Sequence, residues 1–198
     1  MRVIAGSAGG VPLRVPPGLR VRPTSGRVRT SLFSILGEAV VGARVADLFA
    51  GCGALGIEAL SRGAAFCCFV ENARPALAAL QANLAKTRFA AKADILACDA
   101  FSAVPHLASR GPFDLILLDP PYRLLSESHG GFVSLLDDIA GGAALAPSST
   151  VVVQHDTQAP LPESTGRLQV GDRRLYGTTA LTFLGLRPPG PGGTRFSS

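Results

Sequence analysis

The sharpest chemical signal in the sequence is the run Asp119-Pro120-Pro121-Tyr122, which directly follows the apolar stretch 113–118. Two successive prolines stiffen the loop and remove backbone N–H donors, so the carbonyl of Pro120 stays available as an acceptor. The planar amine of a nucleobase needs acceptors for its N–H groups and an aromatic ring on which the base can stack. The pattern therefore predicts chemistry at an exocyclic amine, with Asp119, Pro120 and Tyr122 in contact with the base. A plain proline turn is the simpler alternative.

A glycine-rich loop precedes this run in the chain. Gly51, Gly53 and Gly56 have the spacing G-x-G-x-x-G, after the apolar stretch 45–49 and before a helix-forming segment. This arrangement is typical of nucleotide-containing cofactors, but several different cofactors use it. A nicotinamide dehydrogenase is one candidate, with Glu71 on a ribose. The loop alone therefore predicts a cofactor without identifying it.

Acidic residues near the ends of four apolar stretches narrow the choice of cofactor. They are Asp47, Glu71, Asp99 and Asp119. Carboxyl ends of parallel strands meet at one edge of a sheet, so these side chains should share a site. Asp47 would repel a pyrophosphate but attract an ammonium group, and no hydride-transfer constellation follows residue 118. We therefore favour S-adenosylmethionine, with Glu71 on the ribose hydroxyls and Asp99 on the adenine amino group.

The elements that must position these residues follow from hydrophobic periodicity. Strands are predicted over residues 45–49, 66–70, 93–98, 113–118 and 150–154. Helices are predicted over residues 73–86, 101–107 and 132–139. Strands that alternate with helices at this spacing indicate an α/β fold with a doubly wound, mostly parallel sheet. Residues 167–176 and 178–186, around Gly177, are predicted to add an antiparallel pair at its edge.

The first 37 residues differ in charge from the rest of the chain, because they contain six arginines and no acidic residue. Segments 2–6 and 11–15 predict two short strands in a hairpin. A helix capped by Thr24 or Ser25 should follow. Its apolar face is expected to hold Val28, Leu32, Phe33, Ile35 and Leu36. Arginine suits phosphate contacts, so we predict that this arm binds nucleic acid. A solvated basic face is the alternative.

Composition excludes several classes of protein. The chain has 198 residues, of which 47% are hydrophobic, so it can bury the core of one domain. No apolar run reaches the roughly 18 residues of a membrane span, and we expect a cytoplasmic protein with no membrane partner. The four cysteines form no C-x-x-C pair and the three histidines are scattered, so no metal site is expected. The cysteines should be small apolar core residues.

Together these motifs resemble the class I S-adenosylmethionine-dependent methyltransferases that act on amino groups. The resemblance lies in D-x-F-x-G-x-G-x-x-G at residues 47–56 and D-P-P-Y at residues 119–122. More narrowly, segments 2–6, 22–33 and 47–63 resemble the RsmD family, and the similarity extends over about residues 1–186. Members of that family are bacterial methyltransferases for guanine-N2 in 16S ribosomal RNA.

The resemblance implies a Rossmann-like, doubly wound sheet of seven strands with an antiparallel last strand and an N-terminal hairpin and helix arm. It divides the chain into a basic arm (1–40), a methyltransferase domain (41–186) and a disordered tail (187–198). The implied partner is 16S rRNA within the 30S subunit or an assembly intermediate, bound by a monomer.

Site residues also follow from the resemblance, by motif match. The cofactor would contact Asp47, Phe49, Gly51, Gly53, Gly56, Glu71, Asn72, Asp99 and Ala100. The guanine would contact Asp119, Pro120 and Tyr122, and the RNA backbone Arg22, Arg27 and Arg29.

Two alternatives remain beside the dehydrogenase. Adenine-N6 and cytosine-N4 DNA methyltransferases share D-P-P-Y and the same amine chemistry, although 198 residues leave little room for their large target-recognition regions. A nucleic-acid-binding module without a cofactor is the other alternative. The acidic residues at all four strand ends argue against it, and cofactor binding would discriminate.

Overall fold

The computed structural model describes residues 1–16, 26–121, 124–125, 128–159 and 161–187. The helices are α1 Gly26–Leu36, α2 Ala54–Ser61, α3 Arg74–Thr87, α4 Val104–Ala108 and α5 His129–Gly141, with 3-10 turns at Gly37–Val40, Ala90–Lys92 and Ala100–Ser102. The strands are β1 Arg44–Leu48, β2 Phe66–Val70, β3 Ala93–Leu96, β4 Phe113–Leu118, β5 Leu145–Asp156, β6 Ser164–Thr165, β7 Leu168–Tyr176 and β8 Thr179–Leu186.

All eight strands form one sheet in the order β3-β2-β1-β4-β5-β8-β7-β6. The first five are parallel, whereas β8 is antiparallel to both of its neighbours, β5 and β7. This confirms the predicted doubly wound α/β fold with a reversed last strand. One detail differs from the prediction: the two-residue β6 adds an eighth strand at the edge, beside the predicted antiparallel pair of β7 and β8. The near-continuous apolar sequence of β8 explains its place, because an interior strand is covered on both faces.

The two faces of the sheet carry separate hydrophobic clusters. Leu117 and Val152 face the first cluster, which includes side chains of α1, α2 and α3. Leu118 and Val153 face the second, which includes side chains of α4 and α5. Because side chains alternate along a strand, the residue after Leu118 or Val153 returns to the first face. Asp119 and Gln154, the residues after Leu118 and Val153, therefore lie on the face of the sheet that carries α1, α2 and α3.

The N-terminal segment, residues 1–16, is docked on the body of the protein. Its two halves pair through a bridge between Arg2 and Pro12 and through backbone hydrogen bonds such as that from the Val3 amide to the Val11 carbonyl at 3.0 Å, but the predicted strands 2–6 and 11–15 do not form as regular strands. Its buried side chains Val3, Ala8 and Leu13 belong to the cluster that contains α1, α2 and α3. The next amides, of Ile4 and Ala5, donate to Glu58 on α2 instead of continuing this pairing.

Three local predictions also required correction. Ile35 is 42% exposed and does not share the buried face of α1. The predicted helix 101–107 divides into a 3-10 turn and α4, because Asp99 caps the turn and Pro105 opens the helix. The strand predicted at 150–154 begins earlier, at Leu145. The predicted cap residues Thr24 and Ser25, and the tail from residue 188 onward, lie outside the described residues.

The prediction of small core residues is confirmed for Cys67 and Cys68, whereas Cys98 is only partly buried. All four thiols are free; Cys52, Cys67 and Cys68 are buried, and Cys98 is half-buried. Burial raises the pKa of the Cys67 thiol well above its usual value, so it stays protonated and inert at neutral pH.

Candidate active site

The sheet register brings the predicted site residues to one edge. Leu48 pairs with Val70 on one side and with Leu118 on the other, and Leu118 pairs with Val153. The residues that directly follow Val70, Leu118 and Val153 are Glu71, Asp119 and Gln154. Asp47 lies one residue before the end of β1. Because Leu48, Val70, Leu118 and Val153 are register partners in parallel strands, the polar residues next to them meet at the carboxyl edge of the sheet.

The glycine loop lies between β1 and α2, and Asp47 holds its far end. The Gly56 amide donates to Asp47 Oδ2 at 2.8 Å. A Cβ on Gly56 would lie 2.3 Å from Phe69 Cε1, and one on Gly53 would lie 2.4 Å from Leu80 Cδ1. Gly53 also has φ +83°, which L-residues rarely adopt. These glycines let the start of α2 approach β2 and α3 closely, as the fingerprint predicts.

Asp47 is fully buried, and its environment changes its protonation. The pKa of this carboxyl is raised to about 7, mainly by burial; the nearby charges of Asp119 and Glu71 act in the same direction, and the Gly56 amide acts in the opposite direction. The carboxyl is therefore near half-ionised at neutral pH. A ligand that brings a positive charge would stabilise its ionised form, which makes Asp47 a suitable partner for an ammonium group.

Glu71 fastens the glycine loop to the end of β2. Its Oε2 accepts from the Gly51 amide at 2.8 Å, and its Oε1 accepts from the amides of Asn72 and Ala73 at 2.9 and 2.8 Å. These three donors fix the carboxylate plane. A carboxylate offers about four lone-pair directions, so it can still accept from a hydroxyl. This geometry fits the predicted contact with a ribose.

Asn72 extends the same network to the end of β3. Its Nδ2 donates to Asp99 Oδ2 at 3.0 Å, and Asp99 Oδ1 accepts from the Phe101 amide at 2.9 Å. Phe101 meets Phe49 edge to face, with ring centroids 6.3 Å apart. Ala100 is buried directly beside them. Phe49, Ala100 and Phe101 thus supply apolar surface near Asp99, which an adenine bound there would need.

Asp119 lies at the same edge, on the face of the sheet that carries Asp47. The two carboxylates are close enough for the charge of one to raise the pKa of the other. Pro120 is buried and Pro121 is exposed. The Pro121 carbonyl accepts from the Leu124 amide, whereas no hydrogen bond to the Pro120 carbonyl occurs within the described part of the chain. Tyr122, the predicted stacking residue, lies outside the described residues.

Comparisons with known proteins identify the family of this chain. A family model with the description "Conserved hypothetical protein 95" matches residues 1–185. "Ribosomal RNA small subunit methyltransferase D" of Escherichia coli strain K12 is 35% identical over 183 residues, which is 91% of this chain and 87% of that protein. This chain belongs to the RsmD family.

Two further matches describe the extent of the RsmD similarity. "Putative rRNA methyltransferase YlbH" of Bacillus subtilis strain 168 is 36% identical over 184 residues, 92% of this chain and 97% of that protein. A solved structure, "Putative methyltransferase yhhF from Escherichia coli", superposes with a TM-score of 0.79 at 30% identity and covers 96% of this chain and 99% of its own. The likeness therefore includes the N-terminal segment as well as the sheet.

The arginines that the RsmD resemblance assigned to RNA differ in placement. Arg27 is exposed on α1. Arg29 is only 3% exposed; its Nη2 donates to the Arg2 carbonyl at 2.6 Å, and its Nε lies 4.0 Å from Glu58. Burial removes Arg29 from the RNA-facing residues, because a guanidinium enclosed by protein cannot contact a phosphate. Arg22 lies outside the described residues.

Two polar residues at this RsmD-family site were not singled out from the sequence. Gln154 donates from Nε2 to Asp119 Oδ1 at 2.8 Å. Asn83 on α3 donates to the carbonyls of Cys52 and Arg14, both at 2.9 Å, and so connects the glycine loop to the N-terminal segment. Gln154 follows an apolar run at the same edge as the acidic residues, a signal that was available. Asn83 had no local signal, because its partners are distant in sequence.

The described ranges contain neither a cluster of metal ligands nor a membrane-spanning helix. No group of three or more His, Cys, Asp or Glu side chains there could hold a metal ion. Within the same ranges, no helix combines the length and apolar character that a bilayer crossing needs.

Proposed function

We propose that this chain is an S-adenosylmethionine-dependent methyltransferase that acts on guanine-N2 of 16S rRNA in the small ribosomal subunit. The observation that carries the proposal is the position of Asp119, beside the buried Asp47 and ahead of the Pro120 carbonyl. Asp47, which would bind the ammonium group of the cofactor, and Asp119, which would bind the amine of the base, lie at one edge of the sheet. The rRNA methyltransferases among the relatives support the same assignment.

The residues of the loop fit the cofactor. A side chain at position 56 would clash with Phe69, so the loop requires glycine there. No cation is among the groups that shift the pKa of the buried Asp47 carboxyl. Asp47 would hold the ammonium group, Glu71 the ribose hydroxyls and Asp99 the adenine amine. When bound, S-adenosylmethionine supplies a methyl group on a positively charged sulfur.

On the acceptor side, Asp119 and the Pro120 carbonyl would accept the two N–H groups of the guanine amine. The lone pair of this nitrogen is delocalised into the ring, so the free amine is a poor nucleophile. Acceptors on both N–H groups favour a pyramidal nitrogen and direct its lone pair toward the methyl carbon. When bound, the cofactor would supply the methyl group, its sulfur would keep the electron pair of the C–S bond, and the methylated amine would release one proton to the solvent. Positioning and electrostatics provide the acceleration.

The N-terminal part of the chain would bind the RNA. We assign this role to residues 1–40, with Arg27 on the exposed side of α1 and Arg22 before it, and the methyl transfer to residues 41–186. Arginine contacts to phosphate give affinity without sequence information, so the target base must be selected by the site itself and by the shape of the RNA.

The first test is transfer of labelled methyl from S-adenosylmethionine to 30S particles that lack this modification, with naked 16S RNA and duplex DNA in parallel. Label on a guanine amine of the particle or the RNA supports the proposal. Label only on adenine or cytosine amines of DNA would retain the chemistry at Asp119 and overturn the substrate. No label on any acceptor would overturn both.

A substitution at Asp119 tests its role in the same assay. We expect Asp119→Asn to lower methyl transfer by at least about 100-fold, because the amide cannot accept the N–H in the same way. Cofactor affinity should change little. Asp114→Asn is the matched control, since Asp114 is exposed on the same strand, five residues from Asp119. Loss of cofactor binding in Asp119→Asn would place this carboxylate in the cofactor pocket instead.

A further inference from the structure

Gln154 is a buried polar residue near the end of an interior strand and lies beside the proposed catalytic carboxylate. It follows Val153 on β5, and Val153 pairs with Leu118, the residue before Asp119. Gln154 is 8% exposed. A glutamine in the interior of a sheet is costly to bury unless its amide finds partners, so its contacts identify its role.

The contact that matters is the one with Asp119. Gln154 Nε2 donates to Asp119 Oδ1 at 2.8 Å. We infer that Gln154 is a positioning residue: its amide fixes the plane of the Asp119 carboxylate so that a further lone pair faces the substrate amine. This inference rests on the proposed function, because it assumes that Asp119 accepts an N–H of the base. A carboxylate has about four acceptor directions, so accepting from Gln154 is compatible with accepting from the base.

The chemistry of an amide suits this position. Asp47 on β1 and Glu71 after β2 are further carboxylates of the site, and the charge of Asp119 already acts on Asp47. On the β8 side, the register partner of Gln154 is the apolar Leu181. A second carboxylate in place of the amide would add repulsion, whereas the amide donates and does not titrate. Gln154 can therefore donate to Asp119 at any pH, because its amide does not titrate.

Two variants separate this role from a purely structural one. Gln154→Leu removes the donor at similar volume, and Gln154→Glu replaces the amide by a group that donates only when protonated. Gln169→Glu is the control, because Gln169 is exposed on β7 of the same sheet. The assay is steady-state methyl transfer to whichever acceptor the parent protein methylates, with the dissociation constant for S-adenosylmethionine measured in parallel.

For Gln154→Leu we expect kcat to fall about 10–100-fold, as is typical when the residue that orients a catalytic group is lost. The KM for the acceptor and the affinity for S-adenosylmethionine should stay within about twofold of the parent. A kcat within twofold of the parent, or a loss of cofactor affinity as large as the loss of kcat, would overturn the inference.

The pH profile of Gln154→Glu provides the second readout. At low pH the introduced carboxyl group and that of Asp119 share one proton, which the introduced group can donate to Asp119. Activity should therefore be highest at the acid end and fall as the pH rises and that proton is lost. The parent and Gln169→Glu should not show this fall. A variant whose profile parallels the parent would show that the contact does not act through Asp119.

The outcomes for the inference and for the proposed function are distinct. If the parent methylates a DNA base but no RNA guanine, the proposed substrate fails while the Gln154 variants still test the inference on the DNA base. If the parent methylates RNA and Gln154→Leu retains its kcat, only the inference fails. A parent that methylates no acceptor overturns both.

Discussion

Carboxylates of one chemical type are placed in different environments at this site. Asp47 is enclosed, and burial raises the pKa of its carboxyl to about 7. Glu71 accepts three backbone amides, and Asp99 is exposed at the end of β3. Environment, rather than residue type, suits each group to a different part of a ligand. We therefore expect the pH dependence of ligand binding to arise from individual carboxyl groups of the site.

Cofactor affinity should depend on the ionisation of Asp47. Below pH 7 this carboxyl is mostly protonated in the free protein, and binding of an ammonium group requires its ionised form. We expect the affinity for S-adenosylmethionine to rise by up to about tenfold per pH unit from about pH 5.5 toward 7, with proton release on binding. Calorimetry in buffers of different ionisation enthalpy measures both. Asp47→Asn should bind weakly and lose this dependence, whereas a constant affinity across the range would contradict the assignment.

The glycine loop should tolerate substitution unequally. Gly56→Ala places a methyl group 2.3 Å from Phe69 and 2.6 Å from the Cys67 sulfur, inside the core. We expect a loss of about 1–3 kcal/mol in the free energy of unfolding, together with weaker cofactor binding. Gly51→Ala is the comparison, because no atom lies within 4 Å of its added Cβ and only its φ of +56° opposes the change. Denaturant unfolding of both variants tests the order, and equal losses would contradict it.

At the scale of elements, α2 organises the N-terminal segment. Glu58, fully buried on α2, accepts from the amides of Ile4 and Ala5 at 2.7 and 3.1 Å and pairs with Arg62 at 2.7 Å. Gly6 meets the same helix, since a Cβ there would lie 1.9 Å from the Ser61 carbonyl oxygen. The segment is thus held by the helix whose first turn forms part of the glycine loop.

Loss of Glu58 should release this segment and leave the buried Arg29 without its counter-charge. We expect Glu58→Ala to lower the free energy of unfolding by about 3–5 kcal/mol, because Arg29 and Arg62 lose their counter-charge and two amides lose their acceptor. Hydrogen exchange at Ile4 and Ala5 should become fast. Glu38→Ala, at an exposed glutamate in the 3-10 turn after α1, is the matched control. Slow exchange at these amides in Glu58→Ala would show that other contacts hold the segment.

At the scale of the whole molecule, the charge asymmetry of the chain does not translate directly into a basic surface. Six arginines precede Glu38 in the sequence, yet Arg29 is buried in the core. Arg27 on α1 remains exposed. Electrostatic attraction to RNA depends on charges that reach the phosphates, so only the exposed arginines should contribute to its salt dependence.

The two neighbouring arginines should therefore behave differently. Arg27→Ala is expected to weaken RNA binding and to reduce the slope of log K against log salt by about 1, with unchanged stability. Arg29→Ala should leave that slope unchanged and lower the free energy of unfolding by about 1–3 kcal/mol. Filter binding of 16S RNA at several salt concentrations measures the slopes. The same change in slope for both variants would refute the distinction.

The sequence by itself determined the fold class, because alternating strands and helices and the glycine loop are local patterns that leave few topologies. It also predicted that Asp47, Glu71, Asp99 and Asp119 share one edge, since carboxyl ends of parallel strands coincide. Local periodicity did not predict the two-residue β6, which pairs with β7 at the edge of the sheet.

Only the tertiary structure decided the partners of the polar side chains. The burial of Arg29 against Glu58, the raised pKa of Asp47 beside Asp119 and the contact of Gln154 with Asp119 all join residues that are far apart in the chain. Such contacts depend on the packing of helices on the sheet and on strand order, which no local pattern encodes. Burial and long-range pairing then determine whether an arginine serves the core or the RNA, and whether a carboxyl is charged.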